Sequence, residues 1–156
     1  MSESAERLKT YLDPEGIDAE FLAFGESVHT VEEAVNVSGY GVEWFTKSIV
    51  MLTADHHIII AVVPADSRAS TERIRKALGL AERPRIATAA ESKTYLGQQV
   101  GGNSPLNCPH ATILIEPILL ARKWLLTGGG DDQSLVKIPV AELKRVVDFQ
   151  EVRVRK

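Results

Sequence analysis

The spacing of apolar residues changes several times along the chain, and each change marks the edge of a predicted element. Ala5, Leu8 and Leu12 share one helical face while Glu6, Arg7 and Lys9 lie elsewhere, so residues 4–12 predict a short amphipathic helix. Pro14-Glu15-Gly16 breaks it, and the alternation of Ile17, Ala19, Phe21 and Ala23 predicts a strand over 17–24 with one buried face. Thr30 and Glu33 form a capping box ahead of a helix carrying Val31, Ala34, Val35 and Val37, which stops at Gly39. A turn around Val42, Trp44 and Phe45 follows.

From Lys47 the period shortens. Ser48 to Thr53 and Ile58 to Val63 are two β-branched runs about a polar turn, the pattern of a hairpin buried on much of both faces. Ser70 caps a helix with Ile74, Ala77 and Leu78 that ends at Gly79. Pro84 to Ala87 reads as a short strand, and Thr88 with Glu91 makes a second capping box for a helix that stops near Gly97. Ala111–Ile115 predicts a strand, and Pro117–Ala121 a connection or short strand. Trp124–Thr127 and Leu135–Ile138 predict two further strands. Pro139 suits the first turn of a helix through Val140, Leu143 and Val146, and Val152 and Val154 mark a last strand. Strands and short helices alternate irregularly, with no repeating βαβ unit, linker or low-complexity stretch. The expectation is one α+β domain over residues 1–156.

Composition narrows the function classes. A chain of 156 residues with 44% hydrophobic and 25% charged content matches a globular domain that buries a proper core. A net charge of -3 argues against coating nucleic acid or anionic membrane by bulk electrostatics, so any nucleic-acid contact must come from a few local cations. No apolar run reaches the ~20 residues of a membrane span, and the N-terminus lacks the layout of a signal peptide. With Cys108 as the lone cysteine, a cytoplasmic protein in a reducing interior is expected.

The candidate chemistry centres on Tyr95–Pro105. Gly97, Gly101 and Gly102, followed by Asn103, Ser104 and Pro105, can turn several amide N–H groups into one concavity, a receptor for negative charge. The other constellations are weaker. Neighbouring His56 and His57 point to opposite faces of a strand, and a hairpin turn is their simpler home. Cys108 and His110 are too close in sequence to meet productively, and no G-x-S-x-G elbow surrounds Ser104. The glycines at 128–130 precede Asp131-Asp132 rather than Lys-Ser/Thr, which excludes a P-loop. Lys47 reads either as a surface lysine at a strand start or as a point charge for a phosphate.

The motifs Thr-Val-Glu-Glu-Ala at 30–34, Thr-Lys-Ser-Ile-Val at 46–50 and Gly-x-x-x-Gly-Gly-x-Ser-Pro at 97–105, then a glycine turn at 128–130, recur in a defined order. In that order the chain resembles the YbaK/prolyl-tRNA synthetase-associated domain family over residues 5–148. The resemblance implies a mixed fold on a β-barrel-like sheet surrounded by short helices. It also implies hydrolysis of the ester of mischarged aminoacyl-tRNA, without metal or organic cofactor. Lys47 matches the family's essential lysine, taken to engage the terminal nucleotide, and Gly101 and Gly102 match glycines whose backbone faces the aminoacyl carbonyl. His29 falls at the pocket wall, and Thr30, Asn103, Ser104, Pro105, Gly128 and Gly129 complete the expected substrate-binding set. The implied partner is the acceptor end of an aminoacyl-tRNA, with a synthetase as a second candidate.

An aminoacyl ester is already activated, so a positioned water and oxyanion stabilisation by the amides of Gly101–Ser104 suffice for the chemistry. The chain departs from the family pattern at Asn107, where relatives carry glycine, and at Asp131-Asp132-Gln133, where acidic groups weaken phosphate contact. Two rival readings are a catalytically silent module that binds a synthetase or tRNA, and a hydrolase of small esters or thioesters.

Overall fold

The computed structural model describes residues 2–13, 16–99 and 101–156. Pro14 and Glu15 of the predicted break, and Val100 of the glycine loop, lie outside the described residues. Helix α1 (Glu3–Leu12) buries Ala5, Leu8 and Leu12 as its periodicity requires, and Ser2 caps it. Strand β1 (Glu20–Ala23) is shorter than predicted. Ile17 packs into the core before the pairing begins, and Ala23, predicted on the buried face, is exposed.

Both capping boxes form. Thr30 opens helix α2 (Val31–Ser38), and Thr88 opens helix α4 (Ala89–Leu96). Helix α3 (Thr71–Leu78) starts at Ser70, and all three helices end on a left-handed glycine, at 39, 79 and 97. Pro117–Leu120 is helical (α5), not extended, because Pro117 sits in the first turn, where its missing N–H is harmless.

The hairpin consists of β2 (Thr46–Leu52) and β3 (Ile58–Pro64), paired from Thr46↔Pro64 to Leu52↔Ile58. With β4 (Arg85–Ile86), β5 (Thr112–Ile115) and β8 (Gln150–Glu151) it builds a five-stranded sheet in the order β4-β2-β3-β5-β8. One face of this sheet offers Val50, Ile60, Val62, Ile113 and Ile115 to the main core. The other offers Met51, Ile59, Ala61, Val63 and Leu114 to Ile74 of α3. Burial on both faces explains the unbroken apolar run of β3. The last strand lies earlier than predicted, at 150–151. Val154 is held instead by its amide, which donates to the buried carboxylate of Glu116 at 2.9 Å, and by its carbonyl, which accepts from the Ser70 amide at 2.6 Å.

A second, three-stranded antiparallel sheet has the order β1-β7-β6, with β6 at Trp124–Gly128 and β7 at Ser134–Pro139. Helix α6 (Val140–Val146) follows it. The two sheets meet along one edge of β2. Phe45 bridges Leu126 in parallel, and the Thr46 hydroxyl donates to the Leu126 carbonyl at 3.1 Å. Farther along the same strand, Met51 and Leu52 pair with β4. Between these attachments, residues 47–49 have no strand partner on that side among the described residues. The domain opens at this gap.

Candidate functional site

The gap in β2 is occupied by a cavity of about 280 Å³. Its floor is apolar, built from Val28, Ala34, Phe45, Ala65 and Leu135, which belong to the core cluster beneath the three-stranded sheet. β2 contributes Thr46, Lys47 and Ser48, the start of α2 contributes His29 and Thr30, and the glycine segments contribute Gly101, Asn103 and Gly128. Six predicted site residues therefore converge: Lys47, His29, Thr30, Gly101, Asn103 and Gly128. Gly102, Ser104, Pro105 and Gly129 do not line the cavity. Lys47 is half-buried and has no carboxylate within ion-pair distance among the described residues.

The two glycine segments are locked together through their backbones. Gly130 N–H donates to the Gly102 carbonyl at 2.8 Å, and Gln99 N–H donates to the Gly130 carbonyl at 3.1 Å. A Cβ on Gly102 would collide with the backbone of Asp131, and one on Gly128 with the backbone of Gly102 and Asn103. Gly101 adopts φ +90°, and the imidazole of His29 lies against its Cα where a side chain would go. Gly102 and Gly128 are therefore required by close approach, and Gly101 by its conformation as well.

Not every amide of the loop is available. Gly102 N–H donates to the Gln99 carbonyl at 3.0 Å. Ser104 N–H donates to Gln98 Oε1 at 2.9 Å, and Gln98 Nε2 donates back to the Ser104 carbonyl at 3.1 Å. The Gly101 and Asn103 amides make no hydrogen bond among the described residues, so the expected run of donors at 101–104 narrows to these two. Ser92 fixes the Asn103 side chain, donating to Oδ1 at 3.0 Å.

The two departures from the family pattern acquire physical reasons. Asn107 sits at φ +59°, and asparagine is the residue after glycine that best tolerates this region. Asp131 is buried and accepts from Ser2 Oγ at 2.5 Å and from the Gln133 amide at 2.9 Å. Burial raises its pKa, but hydrogen bonds from Ser2, Gln133 and Ser134 outweigh this and hold the carboxyl below the ordinary value. Neither Asp131 nor Asp132 lines the cavity. Asp131 is a structural tie between the glycine turn and the start of α1, where Ser4 Oγ also donates to the Gly130 carbonyl at 2.7 Å.

The remaining candidates lie apart. His56 contacts the Tyr95 hydroxyl at 3.2 Å and His57 the Thr112 hydroxyl at 2.6 Å, so the two rings diverge. Cys108 is buried, and burial pushes its thiol up to about 11 despite a bond from Gln98. A thiol so raised is a poor nucleophile at neutral pH. Cys108→Ala is expected to change turnover less than about threefold, since alanine keeps the small apolar volume. Loss of activity in this variant would restore a cysteine mechanism. Ser48 belongs to the Thr-Lys-Ser-Ile-Val motif but carries no role in the sequence reading, yet it lines the cavity. Its only signal in the sequence is its place beside Lys47.

Residues 25–146 match the family model described as an aminoacyl-tRNA editing domain. The fold is similar to the crystal structure of a proposed trans-editing enzyme for prolyl-tRNA synthetase, with TM-score 0.87 and 23% identity, covering 100% of this chain and 99% of that one. It is also similar to the crystal structure of a hypothetical protein, APE2540, with TM-score 0.86 and 24% identity over 96% of this chain and 99% of that one. No curated protein sequence matches the chain significantly. Likeness at these identities speaks for the fold, while the match over most of the sequence speaks for the family: this chain belongs to the aminoacyl-tRNA editing domain family.

Proposed function

We propose that this protein hydrolyses the ester of mischarged aminoacyl-tRNA. The observation that carries the reading is the convergence, on one cavity at the gap in β2, of a lysine and two backbone amides that have no partner among the described residues. In this reading Lys47 anchors the phosphate or sugar of the terminal nucleotide. The Gly101 and Asn103 amides receive the carbonyl oxygen as it takes up charge during attack by water, and the ribose hydroxyl orients that water. The carbonyl–ribose bond then breaks, releasing free amino acid and tRNA. The apolar floor suits a small aliphatic side chain. No side-chain base or nucleophile is needed, because the ester is already activated.

The test is a panel of mischarged tRNAs. It begins with tRNAPro carrying small non-cognate amino acids, because the proposed trans-editing enzyme with a similar fold is described as serving prolyl-tRNA synthetase. Lys47→Ala is expected to keep the wild-type melting point and lose at least about tenfold in kcat/KM, equivalent to ~1.4 kcal/mol at the transition state. Unchanged kinetics would remove Lys47 from the mechanism. Binding of acceptor ends without turnover of any ester would favour the silent-module reading instead.

A further inference from the structure

Three hydroxyls line the cavity, and two are engaged within the protein. Thr30 Oγ1 donates to Glu33 Oε1 and accepts from the Glu33 amide, both at 3.1 Å. Thr46 Oγ1 donates to the Leu126 carbonyl at 3.1 Å. Ser48 is the exception: it is 8% exposed, and its Oγ is closed to solvent and has no partner among the described residues. A buried hydroxyl without a partner destabilises the fold, and alanine at this position would avoid that penalty. An orphaned hydroxyl on a residue that lines the cavity points to a partner brought by the ligand.

The position of Ser48 indicates which part of the ligand it meets. Ser48 lies three residues beyond the Phe45–Leu126 bridge and lines the same cavity as Gly128. Gly128 in turn backs onto the Gly102–Asn103 backbone. Ser48 therefore shares one cavity with Gly101 and Asn103, whose amides are unengaged among the described residues. Building on the aminoacyl-ester reading above, we propose that Ser48 is a specificity-determining residue whose hydroxyl accepts a hydrogen bond from the α-amino group of the bound aminoacyl ester. That group sits on the carbon bonded to the carbonyl, so a carbonyl held by the two amides presents it to this wall. Because Oγ is closed to solvent in this structure, the contact calls for a change of staggered rotamer about Cα–Cβ. The consequence is selection for a free amine. An N-acylated ester, such as a peptidyl or formylated one, brings added bulk and one donor fewer to the same wall, and is spared.

The test crosses enzyme and substrate. Wild type and Ser48→Ala are compared on tRNA esterified with alanine, with propionic acid (the same acyl group without the amine) and with N-acetylalanine. Single-turnover rates are normalised to spontaneous hydrolysis. Ser48→Ala is expected to lose about tenfold on the alanyl ester and less than twofold on the propionyl ester, and wild type to cleave the N-acetylalanyl ester at least tenfold more slowly than the alanyl ester. Its melting point is expected to equal or exceed that of wild type, since the orphaned hydroxyl is gone. Equal loss on alanyl and propionyl esters, or no loss on either, would overturn the proposal while leaving the deacylase reading intact. Should wild type cleave no ester, the deacylase reading fails and binding decides the role of Ser48. The probes are then 3′-alanylamino- and 3′-propionylamino-3′-deoxyadenosine. A tenfold preference for the first that disappears in Ser48→Ala supports the assignment, and equal affinities refute it.

Discussion

Gly102→Ala is expected to lower the thermal midpoint by about 10 °C. A Cβ at this position would overlap the backbone of Asp131 rather than the end of a flexible side chain. That backbone has little freedom to yield: Asp131 is held by Ser2 and the Gln133 amide, and the neighbouring Gly130 is bonded to both Gly102 and Ser4. Forcing an extra methyl into packed surroundings costs typically 1–3 kcal/mol, and about 3 is expected where only backbone can move. For a domain of this size each kcal/mol shifts the midpoint by about 2–4 °C. Because the Gly102 amide is engaged by Gln99, the variant should lose activity mainly in step with its folded fraction. Thermal unfolding followed by calorimetry, with turnover measured well below the transition, separates the two. An unchanged midpoint would show that the 130–132 turn gives way readily and that the glycine is not demanded by packing.

The parts of the fold that were legible in the sequence are those set by local rules. Both capping boxes, the three left-handed glycines at 39, 79 and 97, and the hairpin with its polar turn depend on residues a few positions apart. Pro117 misleads because a proline after a strand suits either an extended connection or a first helical turn, and its neighbours Ile118–Leu120 carry no decisive period. The candidate site was legible as a set of segments but not as a surface. That Lys47 and the 101–103 loop share a site is what the family resemblance implies, and Lys47, Gly101 and Asn103 do line one cavity. Which amides of the loop remain free depends on the Gln98 side chain and the Gln99 carbonyl, and neither pattern nor spacing reveals that. The role of Asp131 was hidden for the same reason. Its partner Ser2 lies 129 positions away, so the acidic pair looks in sequence like an electrostatic obstacle to phosphate. Ser48 is concealed differently: only the knowledge that Thr30 and Thr46 are engaged makes its hydroxyl stand out.

Gly101→Ala should separate chemistry from folding where Gly102→Ala does not. Gly101 takes φ +90°, so any side chain strains the backbone, a penalty on the order of 1 kcal/mol that shifts the midpoint by only a few degrees. The added Cβ would meet the imidazole of His29, which is exposed and can swing away, so the fold survives. The proposed oxyanion donor is more sensitive. Its N–H must aim at the carbonyl oxygen, and a small rotation of the 101 peptide, or a displaced imidazole standing in the cavity, removes that alignment. Turnover is expected to fall about a hundredfold, the scale on which loss of one oxyanion donor acts. The double variant His29→Ala/Gly101→Ala tells these two causes apart. Recovery towards the rate of His29→Ala alone would assign the loss to the displaced ring, and persistence of the hundredfold deficit would assign it to the Gly101 amide. A folded Gly101→Ala protein with wild-type turnover would show that the loop only shapes the cavity, and the site of carbonyl binding would then have to lie elsewhere along the open edge of β2.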